Sequence, residues 1–188
     1  GTGDYERIGS TNQGTENLML GISDPHYPAY RDVAVATKAS DLTNCKNTTK
    51  DTSGAKCPQT PKDVGWYITL DDFQKVTAEP TVSSGLVYFP IYKPSSSVNK
   101  CSLGDAFICG VDDECGTNVS NKLGSFRNKK DSCMYVGQGV LSRIVVYANK
   151  LFANIAGQST NAQKKDLVVL DAAAGGTSSY RSSWRQNY

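Results

Sequence analysis

An all-β chain is predicted, and three observations predict it. Gly, Ser, Thr, Asn, Asp and Pro punctuate the 188 residues from end to end. The apolar residues fall in short runs between them. No window carries the i, i+3, i+4, i+7 apolar stripe of an amphipathic helix, and the region Asp71–Lys75 offers one helical turn at most. Many short strands separated by turns follow from that pattern.

Internal repeats order these strands. Val76–Ile91 lies over Val140–Ile155 at an offset of 64 residues without a gap. Each copy reads as strand, tight turn, strand, with Gly85 at the turn in one and Asn149 in the other. Gly and Asn are the residues that most readily take the positive φ of a short hairpin turn. Phe107–Asp112 lies over Asp166–Asp171, and each runs on at the same interval to a glycine, Gly116 or Gly175. Leu18–Asp24 matches Phe107–Asp113 in apolar character, so one strand type occurs three times. Gly65–Leu70 reads as an outer strand, with Cys133–Val136 and Tyr180–Arg185 as its counterparts.

The unit is hairpin, third strand, outer strand. A four-stranded antiparallel unit that recurs is a propeller blade, here with its period stretched by loops. The expected architecture is a partial β-propeller of about two and a half blades, with 1–188 the C-terminal part of one propeller domain. Residues 1–70 end one blade and carry an insertion at 25–62; 76–136 form a second blade and 139–188 the last. The loops 93–100 and 116–132 lengthen the second blade. Propellers close with about four to eight blades, so upstream sequence is expected to complete the ring. A start at Gly1, without Met or a leader, fits a fragment or mature chain. The other arrangement open to these strands is a two-sheet β-sandwich.

Composition excludes several classes. Twenty Lys+Arg against 18 Asp+Glu give a net charge of +2, which argues against a dedicated nucleic-acid binder, since affinity for phosphate backbones needs a concentrated basic face. Arg127, Lys129 and Lys130 are interrupted by Asn128 and followed by Asp131, as in a solvated loop. No apolar run reaches the roughly 20 residues of a membrane helix. The lone His26 sits in a turn-rich Asp-Pro-His-Tyr-Pro segment, with no Gly-x-Ser-x-Gly elbow elsewhere to supply a nucleophile. Gly1-Thr-Gly-Asp is not a phosphate-binding fingerprint. Asp71-Asp72 reads as a solvated cap, and Trp66, Trp184 and the ten Tyr as packing between blades rather than a sugar- or surface-binding face. Asn47-Thr-Thr49 and Asn118-Val-Ser120 match the glycosylation sequon.

Six cysteines, Cys45, Cys57, Cys101, Cys109, Cys115 and Cys133, point to disulfides and an oxidising compartment. Their spacings of 12, 44, 8, 6 and 18 fit no zinc site. Loop length favours Cys45–Cys57 and Cys109–Cys115, leaving Cys101–Cys133, among 15 possible pairings.

The chain resembles the C-terminal portion of the PilC/PilY family of type IV pilus tip-associated adhesins. The residues that carry the resemblance are Gly1-Thr-Gly-Asp-Tyr5, Val64-Gly-Trp-Tyr-Ile68, Val76–Val82, Asn99–Gly104 and Tyr180–Gln186, in that order. The resemblance implies PQQ-dehydrogenase-like blades, export to the bacterial cell envelope and a place at the extracellular pilus tip. It also implies a non-enzymatic role in attachment to host or abiotic surfaces and in pilus biogenesis, with minor pilins as partners. The family's calcium loop uses alternating Asp/Asn ligands. The metal candidates here, Asp112, Asp113 and Glu114, are consecutive, and Asp112 aligns with Asp171 in the repeat, where a turn is its simplest role. Calcium is therefore expected upstream of Gly1 and no cofactor in this segment. Two alternatives remain: a fragment of a quinoprotein-type propeller enzyme, for which no adjacent Cys pair is present, and a secreted glycan-binding propeller.

Overall fold

The computed structural model describes residues 1–3, 6–11, 16–22, 41–45, 65–71, 73–96, 102–117, 132–157 and 167–172. All regular elements among them are strands, in three sheets. The first sheet pairs β1 (Leu18–Ile22) antiparallel with β3 (Gly65–Thr69), and β2 (Thr43–Asn44) lies parallel along the other edge of β3. The middle sheet holds β4 (Lys75–Val76) and β5 (Thr81–Ser83) end to end against β6 (Leu86–Lys93), followed by β7 (Asp105–Asp112) and β8 (Cys133–Gln138). In the last sheet β9 (Val140–Leu141) and β10 (Val145–Tyr147) both pair with β11 (Lys150–Ala156), which pairs with β12 (Leu167–Asp171). No helix among the described residues is long and apolar enough to cross a membrane.

The 64-residue repeat survives to the level of register. Val82 opposes Val87, and Val146 opposes Leu151. Leu86 opposes Asp112, and Lys150 opposes Asp171. The hydrogen bond from Asp113 N to Gly85 O, 3.1 Å, recurs as Ala172 N to Asn149 O, 2.9 Å. Both hairpins turn on two residues of positive φ, Ser84–Gly85 and Ala148–Asn149. Such turns match the right-handed twist of the strands they join.

One detail departs from the expected single strand before each turn. It breaks at 77–80 in the middle sheet and at 142–144 in the last. Pro90, within β6, faces the first break: its carbonyl accepts from Thr77 N at 3.2 Å. In an antiparallel strand the N and O of one residue point to the same side, so the N–H that Pro lacks falls where no ladder partner stands. The corresponding Asn154 has an N–H, and Ser142 Oγ accepts it at 3.0 Å. Near the expected helical turn at Asp71–Lys75, Gln74 N donates to Asp71 O at 2.8 Å, Phe73 has the non-helical φ of 64°, and Lys75 already begins β4. The parallel strand β2, inside the expected insertion, covers what would otherwise be an open edge of β3.

The sheets stack in three layers. Side chains alternate across a strand, so β6 and β7 present two faces. Leu86, Tyr88, Ala106 and Ile108 pack with Leu141, Ile144, Leu151 and Ala153 of the last sheet. Val87, Phe89, Ile91, Cys109 and Val111 pack with Met19, Trp66 and Leu70 of the first. Residues 1–3 reinforce the joint between first and middle sheets: Thr2 N donates to Leu18 O and Thr2 O accepts from Val76 N. The buried Lys75 ammonium donates to Ile8 O and Ser10 O, 2.9 and 2.7 Å away, which offsets the cost of burying its charge.

The turn geometry gives an expected outcome. Gly85→Ala, at φ 77°, is expected to cost about 1–2 kcal/mol, and Ala148→Gly, at φ 47°, to cost nothing or to stabilise slightly, in urea unfolding.

Candidate interaction surface

Asp112 ends β7, and its carboxylate is committed to the turn that follows. Oδ1 accepts from Glu114 N at 3.1 Å and Cys115 N at 3.0 Å. Gly116 N donates to Asp112 O, and Asp112 N donates to Thr117 O. Short acidic side chains favour such turns because they satisfy main-chain donors that no strand can. Glu114 is exposed, and Asp113 contributes its main chain, with its carbonyl accepting from Trp66 Nε1 at 3.0 Å. The three acids thus do not converge, and no group of three or more metal-binding side chains occurs among the described residues.

This turn locks the middle sheet to the first. The Trp66 indole, 3% exposed, lies between Gly21 and Gly116. A Cβ on either glycine would stand 2.3 Å from the ring, so a side chain there would displace the indole. Trp66 therefore packs between sheets, as the sequence suggests. Trp184, His26, Asp72, both sequons, the 127–130 basic run and Tyr180–Arg185 lie outside the described residues.

The cysteines require a correction. Cys109 is bonded to Cys133, which replaces the expected pairs Cys109–Cys115 and Cys101–Cys133. Loop length is overridden by register: Cys109 and Cys133 stand directly opposite each other on β7 and β8. Cys115 is also disulfide-bonded. Cys45 is buried, with its Sγ donating to Thr43 O at 3.6 Å. Cys57 and Cys101 lie outside the described residues, and with them the Cys45–Cys57 expectation.

Sequence reasoning missed two features of the last sheet. The first is its joint to the middle sheet, made where the two strand breaks meet. Thr77 Oγ1 donates to Leu141 O at 3.3 Å and Thr81 Oγ1 to Ile144 O at 2.6 Å. Arg143 and Glu79, both exposed, pair at 3.0 Å; solvent screening leaves such a pair little weight. The second is the outward face of that sheet. Leu151, Val168 and Leu170 pack toward the middle sheet, as the matching Val87, Cys109 and Val111 pack toward the first. The opposite face exposes Val145 (55%), Tyr147 (74%), Leu167 (46%) and Val169 (47%). Lys150 and Asp171 form an ion pair on the same face. In the middle sheet the corresponding face is buried along β6 and β7, at Leu86, Tyr88, Pro90, Ile108 and Gly110, and half-buried at Thr81 and Ser83. The available signal was the lack of alternation in Val145-Val-Tyr147 and Leu167-Val-Val-Leu170, since apolar residues at successive positions make both faces of a strand apolar.

No family model, curated protein or solved structure matches the chain significantly.

Two substitutions separate the roles at the turn. Asp112→Ala is expected to cost about 1–3 kcal/mol by stranding two main-chain donors, and Glu114→Ala less than about 0.5 kcal/mol, in urea unfolding. Cys109→Ala combined with Cys133→Ala is expected to cost about 2–4 kcal/mol, read the same way under oxidising conditions.

Proposed function

We propose that this chain is a non-enzymatic recognition module, an arc of the β-propeller of a type IV pilus tip-associated adhesin. In this reading the middle sheet is a complete four-stranded blade. The first sheet is the outer half of the blade before it, and the last sheet is the blade after it. The observation that carries the reading is that the middle and last sheets each turn the same face, at matching positions of the repeat, toward the sheet before them: Val87, Cys109 and Val111 toward the first sheet, Leu151, Val168 and Leu170 toward the middle one. A two-sheet sandwich has no use for a third layer. Stacking in a constant sense is what radial repetition requires. The pilus assignment itself comes from the ordered motifs that resemble the PilC/PilY family.

The mechanism follows from rigidity. Stacked sheets hold loops in fixed positions, and loops on a rigid scaffold carry recognition. The insertion 25–62 and the loops 93–100 and 116–132 are assigned to contact minor pilins and a host or abiotic surface. Disulfides suit the oxidising setting outside the inner membrane, where the proposed protein acts. The module binds and transmits load; it performs no chemistry.

The test is copurification with minor pilins. Removing residues 94–99 and 118–131 is expected to weaken pilin capture at least tenfold without changing the far-ultraviolet spectrum. Undiminished capture by the folded variant would remove the assignment of these two loops.

A further inference from the structure

No further inference is drawn: the strongest candidate, the exposed apolar face of the last sheet formed by Val145, Tyr147, Leu167 and Val169, belongs to the stack already described, and nothing in the structure shows what covers it.

Discussion

Burial of the β6–β7 ladder on both of its faces is the constraint from which the other contacts follow. Seven of the eight residues of β6 are buried, and so are Ala106 and Ile108–Asp112 of β7. A strand buried on both sides cannot alternate apolar with polar residues, and Leu-Val-Tyr-Phe-Pro-Ile-Tyr does not. Each buried side chain of this size contributes about 1.5–3 kcal/mol relative to exposure, so the pair needs a cover on each side. The first and last sheets are those covers. Tyr88 and Ile108 commit one face to the last sheet; Phe89 and Val111 commit the other to the first.

The two joints are built differently. Toward the first sheet the contact includes Met19 and Leu70 and is anchored by one large side chain, Trp66, admitted by two glycines and fixed by one hydrogen bond to the Asp112–Thr117 turn. Toward the last sheet it is spread over Tyr88 and several Leu, Ile and Ala side chains, and two threonine hydroxyls stitch it at the strand breaks. The last sheet has Leu141 and Val145 near the places of those threonines, so it lacks the hydroxyls that would stitch a further joint of the same kind. Its outward face is correspondingly apolar.

The hairpins were legible because their signals are local. A turn needs positive φ at two adjacent residues, and Gly85 and Asn149 announce it at a fixed offset. The third strand and the turn role of Asp112 were legible for the same reason, since Asp112 and Asp171 occupy one position of the repeat. The disulfide was not legible. Its partners are 24 residues apart, and only the β7–β8 register brings them face to face. Nor were the threonine stitches or β2, since both depend on where one sheet or edge meets another. Periodicity shows which face of a strand is apolar; it does not show which sheet will lie against it.

Amide hydrogen exchange tests the central claim most directly. If β6 and β7 are enclosed by a sheet on each side, their amides exchange slowest in the chain, near the rate set by global unfolding, while those of β10 and β12 exchange faster through local opening. Equal protection of β7 and β12, or faster exchange in β6 than in β10, would contradict a middle sheet covered on both faces.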